Sequence, residues 1–146
     1  MNKALLKLAL CFGCALLAAS GCHFVRSDNL NQAIVRGETD SVRKALSRGA
    51  DVNWRGMHAM TPLMTASKAG RLDICELLVA RGADVNGHNE SGSVLMWAVE
   101  SGNEQLVRFL LKSGAVRSWT NALGGTAESL ARQRGLTNIA ALVKAQ

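Results

Sequence analysis

The sequence of 146 residues contains no tyrosine, one proline, three histidines and only 4% aromatic residues. Histidine and tyrosine are among the side chains that most often transfer protons, so this composition offers little material for acid–base catalysis. The sequence also lacks a glycine-rich phosphate loop, a nucleophile elbow and a pair of carboxylates in a catalytic pattern. These absences predict a protein that is not an enzyme and that uses no cofactor.

Positive charge exceeds negative charge, with 17 lysines and arginines against 11 acidic residues and a formal net charge of +6. Such a balance attracts nucleic acid or anionic membranes when the basic residues form a patch. Along this sequence they are scattered without any run of like charges, and Lys3 and Lys7 lie in a segment that we expect to be removed. We therefore expect neither a nucleic-acid partner nor a small-molecule substrate.

The first 22 residues have the layout of an export signal. Lys3 and Lys7 precede an apolar run over residues 8–19, and small residues close that run. A run of about a dozen residues is shorter than the roughly 20 that span a bilayer, and cleavable secretory signals have this length. The alternative is an anchor helix that is not cleaved.

Residues 19–22, which read ASGC, resemble the lipobox at which bacterial lipoprotein signal peptidase cuts, although Ala19 replaces the usual leucine. The resemblance implies a signal peptide over 1–21, a lipid attached to Cys22 and a short tether over 22–28. Residue 23 is histidine, and by resemblance to enterobacterial lipoproteins the absence of aspartate there implies the outer membrane, with the protein facing the periplasm. The alternative is ordinary cleavage after Ser20, which would give a soluble periplasmic or secreted protein.

The positions of the four cysteines are consistent with an exported protein that has no intramolecular disulfide bond. Cys11 and Cys14 would leave with the signal peptide and Cys22 would carry lipid, so Cys75 alone remains as a thiol. A protein with one thiol has no intramolecular disulfide framework, and its stability has to come from packing.

The rest of the sequence repeats every 33 residues. Residues 49–53 and 82–86 both read GADVN, and the related string GAV begins at Gly114, 32 positions later. Two further registers keep the same step, namely Ala33, Ala66, Ala98 and Ala131, and Gly37, Gly70, Gly102 and Gly135. A fixed period of about 33 residues indicates a stack of helix-pair repeats.

Residues 61–67, which read TPLMTAS, resemble the Thr-Pro-Leu-His opening of an ankyrin repeat, with Met64 in place of the histidine. Weaker copies begin at Ser93 and Thr126. The physics agrees, because threonine is a good helix N-cap and proline fits the first helical turn. The resemblance implies an all-α ankyrin-repeat solenoid over 29–146, with about four helix–turn–helix repeats joined by β-hairpin-like fingers: 29–60, 61–92, 93–125 and 126–146.

Glycines and polar residues predict where the helices and the stack end. Glycine suits the left-handed conformation at a helix C-terminus, so we expect Gly70, Gly102 and Gly135 to end first helices and Gly82 and Gly114 to end second helices. Polar residues at the two ends of the stack suit terminal repeats that no neighbour covers: Asn29, Asn31, Gln32, Lys144 and Gln146.

By resemblance to the family, the binding surface is a concave face formed by the fingertips and the inner sides of the first helices. The predicted partner-binding residues are Trp54, Arg55, Met57, His58, Lys68, His88, Glu90, Glu100 and Trp119. Trp54 and Trp119 are the main candidates, because an exposed indole beside arginine and methionine is a typical anchor for a protein partner. The alternative is that each indole folds over its own finger, and Trp97 is predicted to lie in the core.

Two other residue types are expected to be structural. His58 and His88 occupy different positions in their fingers, and no metal site is predicted because a metal needs three or four convergent ligands. Cys75 has the register of Val42 and Val107, which predicts a buried and unreactive thiol, with a redox sensor as the alternative.

These observations lead to one functional prediction and two alternatives. We predict a membrane-tethered periplasmic protein–protein interaction module that serves as a scaffold or accessory protein for an envelope protein. The first alternative is an immunity protein that binds and neutralises a toxin delivered to the periplasm. The second is a structural envelope protein without a defined ligand.

Overall fold

The computed structural model of the chain describes residues 29–144. The predicted signal peptide (1–21), the lipid-attachment residue Cys22, the tether (22–28) and Gln146 lie outside the described residues. Over the described range the chain forms eight α-helices: α1 (29–36), α2 (Thr39–Ser47), α3 (Pro62–Lys68), α4 (Leu72–Ala80), α5 (Val94–Ser101), α6 (Glu104–Lys112), α7 (Ala127–Gln133) and α8 (Thr137–Val143).

The helices stack in two layers, which confirms the all-α repeat fold. Helices α3, α5 and α7 follow one another in an inner layer, and α2, α4, α6 and α8 follow one another in an outer layer. The inner helices approach closely because alanine recurs where they meet, and Ala66, Ala98 and Ala131 have no exposed surface. A longer side chain at these positions would push neighbouring repeats apart.

The hydrophobic core runs through the whole stack. Its buried members all lie between Leu30 and Val143, and the largest come from both layers: Leu63, Leu95, Ile74, Leu78, Leu106 and Leu110. Each repeat covers the apolar face of its neighbour, so about three repeats are needed for a stable stack. Four repeats with a core contained in residues 30–143 therefore suffice for independent folding.

The N-terminal ends of the inner helices are capped as the sequence predicts. The side-chain oxygens of Thr61, Ser93 and Thr126 each accept a hydrogen bond from the backbone N–H three residues later. The Thr61 N–H donates to Met64 Sδ at 3.5 Å, so methionine accepts the bond in this repeat. At the other end of α5, Gly102 has a φ of 72°, a left-handed conformation that costs glycine nothing.

The GADVN strings explain how successive repeats are joined. The Asn53 side chain donates to the carbonyl of Gly82 at 3.1 Å and accepts from the N–H of Asp84 at 2.8 Å. Asn86 makes the same two bonds one repeat later, to the carbonyl of Gly114 and the N–H of Val116. Each asparagine thus satisfies two backbone groups of the next repeat and fixes the spacing between the segments that follow.

The repeat spacing also places two aspartates in equivalent turns. Asp51 accepts a hydrogen bond from the N–H of Asn53, and Asp84 accepts one from the N–H of Asn86, each at 2.9 Å. These carboxylates therefore cap local turns and hold the bridging asparagines in position.

Candidate functional site

Three loops, called here finger 1 (51–61), finger 2 (84–93) and finger 3 (116–126), separate the helix pairs. Fingers 2 and 3 close as short hairpins, each with one antiparallel bridge. Their tips are set by Asn89 and Asn121, whose side-chain oxygens each accept two backbone N–H bonds. Finger 1 has Gly56 at this register, so it cannot form that turn and closes instead with a 3-10 turn over Met57–Ala59.

Side-chain and backbone bonds hold the fingers in a row. The Asn89 side chain donates to the carbonyl of His58 at 2.9 Å, and Arg55 donates to the carbonyl of His88 at 3.3 Å. The N–H of Ala122 in finger 3 donates to the carbonyl of Glu90 in finger 2 at 3.1 Å. The three fingers therefore form one ordered surface.

A groove of about 680 Å³ lies between the fingers. It is lined by Arg55, His58, Ala59, His88, Asn89, Glu90, Ser91 and Trp119. Five of these residues were predicted from the sequence to bind the partner, and the fold brings them together. Met57 lies next to His58 in the chain and is 82% exposed, which leaves its apolar side chain available to a ligand.

Trp119 packs against the core with one part of its side chain and lines the groove with another. The residue is half-buried and packs against the core, and its ring lies 5.3 Å from the ring of His88, tilted by 41°. A ring nitrogen of His88 lies 3.2 Å from the carbonyl of Asn86. Trp119 therefore ties the groove to the stack below it, and only part of the indole faces solvent.

The Trp54 indole folds over its own finger, which was the alternative to a role as a binding anchor. The residue is half-buried, and its six-membered ring covers Gly56 in its own finger: a Cβ added to Gly56 would lie 2.5 Å from Trp54 Cζ3. Trp54 is not among the residues that line the groove. Its packing instead requires glycine at position 56 and sets the shape of finger 1.

Trp97 lies only partly in the core that was predicted for it. It is half-buried, with one side packed against the core and the Lys68 Nζ 4.8 Å from its ring centroid. An ammonium group over an indole face is a favourable cation–π contact. Trp97 therefore belongs partly to the inner surface. In the sequence, Trp97 lies about one helical turn before Glu100, the position that corresponds to Lys68 one repeat later, and this spacing places it near the inner face.

Two more observations refine the predicted surface. Glu100 is already paired, because Arg134 Nη2 lies 2.9 Å from its Oε1. Leu123, at the tip of finger 3, is 93% exposed and was not singled out from the sequence. An apolar residue between the turn-forming Asn121 and Gly124 is the signal that indicates such an exposed tip.

Cys75 is buried beneath the surface between α3 and α4. The pKa of its thiol is raised to about 12, mainly by burial and to a smaller extent by the nearby Asp73 and Glu76 carboxylates, while the hydrogen bond with the Ser67 hydroxyl lowers it. A thiol that stays protonated at neutral pH is a poor nucleophile, which disfavours the redox-sensor alternative. Among residues 29–144, no group of three or more histidine, cysteine or acidic side chains is placed to hold a metal ion.

Comparison with known proteins agrees with this architecture. A family model described as ankyrin repeats (3 copies) matches residues 30–118. The chain belongs to the ankyrin-repeat family. Ankyrin repeats are protein–protein interaction modules, so the chain is a protein-binding repeat stack.

Related ankyrin-repeat sequences occur within much longer proteins. A rice protein (Oryza sativa subsp. japonica) named "Probable E3 ubiquitin-protein ligase XBOS34" is 34% identical over 112 residues, which cover 74% of this chain and 22% of that protein. "Ankyrin repeat and KH domain-containing protein mask-1" of Caenorhabditis elegans is 34% identical over 118 residues, which cover 79% of this chain and 4% of that protein. "Ankyrin repeat domain-containing protein 63" of Mus musculus is 37% identical over 99 residues, which cover 64% of this chain and 25% of that protein.

The chain spans about a quarter or less of the length of each of these relatives, and all three come from plants or animals. They establish the ankyrin fold and its general role, and they do not support a location in a bacterial envelope. Within residues 29–144 no helix is long and apolar enough to cross a bilayer.

Proposed function

We propose that this ankyrin-repeat protein is a lipid-tethered binding module of the bacterial cell envelope, which holds a protein partner against the groove between its fingers. The observation that carries the proposal is the groove itself, where Arg55, His58, His88 and Glu90 converge around Trp119. Arginine and aromatic residues are enriched at protein interfaces, and a half-exposed tryptophan in a pocket is a typical hot spot.

The edges of the groove add apolar contact. Met57 and Leu123 are exposed at the tips of fingers 1 and 3, on either side of finger 2. A flexible methionine adapts to the shape of a partner, and two exposed apolar tips flanking a polar groove favour a ligand that lies across all three fingers. An extended segment or the edge of a folded domain fits this arrangement.

A binding role is favoured over catalysis by what the polar groups of the groove already do. Arg55 bonds the backbone of finger 2 and His88 contacts Trp119 and a backbone carbonyl, so both help to build the surface. The one thiol in the described range, Cys75, is buried and stays protonated. We therefore infer a non-enzymatic protein.

Site-specific photo-crosslinking tests where the partner binds. A photoreactive amino acid at position 57 or 90 should crosslink the same partner in intact cell envelopes, because both positions are exposed beside the groove. The same amino acid at Glu76 or Lys112, which are exposed on the outer helices α4 and α6, should give none. Crosslinks are detected by a mass shift on denaturing gels and identified by mass spectrometry.

The controls separate binding from folding. All four substituted proteins should show the helical circular dichroism and the unfolding midpoint of the wild type, because each replaced side chain is exposed. Equal crosslinking from positions 76 and 112, or none from 57 and 90, would mean that the fingers are not the binding surface.

The envelope part of the proposal rests on residues 19–22 and is tested at Cys22. Cells fed radioactive palmitate should label the wild-type protein, and the Cys22→Ser variant should carry no label, because serine lacks the thiol that accepts lipid. A Cys75→Val variant, which keeps Cys22, should label as strongly as the wild type. Labelling that survives Cys22→Ser would show that the lipid is attached elsewhere.

A further inference from the structure

The N-terminal end of the stack carries a groove that differs in character from the one between the fingers. It has a volume of about 510 Å³ and lies between α1 and α2. Polar and charged residues line most of it: Asn29, Gln32, Arg36, Glu38, Ser41, Lys44 and Arg48, with Ala33 and Ala45 at its floor. The three basic side chains are exposed: Lys44 and Arg48 lie one helical turn apart on α2 and its C-terminal end, and the fold brings Arg36 of α1 to them.

The basic side chains of this end groove are not neutralised by ion pairs. Within the described part of the chain, the three salt bridges join Arg108 to Glu104, Arg132 to Glu128 and Arg134 to Glu100. None involves the end groove, where Glu38 is the single acidic residue among the lining side chains. The groove therefore presents three positive charges and one negative charge.

The end groove also lies where the chain would approach a membrane. Asn29 lines it and follows Cys22 by seven positions. Seven residues span at most about 25 Å when fully extended, so a lipid on Cys22 would keep this end of the stack close to the bilayer surface.

Other occupants fit the end groove less well. A further repeat would need an apolar face to pack against, and the lining here is largely polar. A second copy of the chain stacked end to end would bring Arg132 and Lys144, which line the groove at the C-terminal end, against the basic N-terminal end. Like charges disfavour that contact.

We propose that the end groove binds the phosphate-bearing headgroups of an anionic lipid surface. The charge complementarity stands by itself, whereas the distance from Cys22 rests on the lipid anchor given under the proposed function. Each basic residue close to an anionic surface strengthens binding by roughly fivefold. Lipid on Cys22 and the basic end together supply the two signals that stable membrane attachment requires.

Vesicle sedimentation tests the proposal on the chain from residue 22 onward with Cys22→Ser, so that no lipid is attached. Vesicles of phosphatidylcholine with 30% phosphatidylglycerol should bind this protein at low salt, and pure phosphatidylcholine vesicles should not. The triple variant Arg36→Gln, Lys44→Gln, Arg48→Gln should bind the anionic vesicles at least tenfold more weakly.

A matched variant with the same net charge provides the control. Arg43, Arg81 and Lys112 are exposed, make none of the ion pairs above and lie outside the end groove, so replacing all three by glutamine should weaken vesicle binding less than threefold. Circular dichroism and thermal unfolding should be the same for both triple variants and the wild type. Equal losses in the two triple variants would overturn the proposal, because net charge alone would then explain the attraction.

Two further outcomes would also overturn it. One is failure of the wild-type chain to bind the anionic vesicles. The other is equally tight binding to poly-glutamate or to a short DNA duplex, which would make the groove a site for soluble polyanions. Neither outcome affects the crosslinking at positions 57 and 90 or the labelling of Cys22, so the proposed function is tested separately.

Discussion

Replacing Ala98 by leucine should lower the free energy of unfolding by about 3 kcal/mol. Ala98 has no exposed surface and lies on α5, which packs between α3 and α7. Leucine adds three carbon atoms where two helices meet, and such overpacking commonly costs about 1–3 kcal/mol and occasionally more. Urea unfolding followed by circular dichroism gives the free energy directly.

The matched control for this variant is Ala141→Leu on α8. Ala141 is exposed, so the added carbon atoms have room and the change in stability should stay within about 0.5 kcal/mol. If Ala98→Leu were as mild as this control, the inner helices would not be in the close contact that the recurring alanine indicates.

Replacing Cys75 by valine should remove a loss of stability at alkaline pH. In the folded protein burial raises the pKa of the Cys75 thiol to about 12, whereas an ordinary thiol has a value of 9.0. Between these two values the unfolded chain has lost the thiol proton and the folded chain has kept it. The unfolded state therefore binds fewer protons in this window, and stability falls as pH rises, by at most about 1.4 kcal/mol per pH unit.

The comparison isolates the thiol because other titrating groups are the same in both proteins. The free energy of unfolding of Cys75→Val minus that of the wild type should increase by roughly 2–3 kcal/mol between pH 8 and pH 11. Valine is the residue found at the corresponding positions 42 and 107, so the variant should fold. A difference that stays constant over this pH range would show that the thiol titrates normally and is accessible to water.

The repeat pattern predicts most of the fold because each repeated position has the same structural role in every repeat. Alanine at position 66 or 98 marks the contact between inner helices, glycine at 102 marks a helix end, and threonine at 61 marks a helix start. These features depend on residues that are close in sequence or separated by one period. They can therefore be read without knowing side-chain conformations.

The surface was predicted less well because it depends on exceptions to the pattern. Finger 1 differs in shape since Gly56 stands at the register of Asn89 and Asn121, and Trp54 then folds over that glycine. The contact between Lys68 and Trp97 joins two repeats at different registers, so it depends on side-chain conformations that periodicity does not specify. The cluster in the end groove likewise appears only when α1 and α2 are placed side by side.

The bridging asparagines have a consequence for how the protein opens. Asn53 and Asn86 each connect one repeat to the next, so the stack behaves as a one-dimensional chain whose stability is a sum of neighbouring terms. Such a chain frays from its ends, one unit at a time. A ligand lying across three fingers would couple units that are not neighbours, and the bound protein would then open cooperatively as a single block.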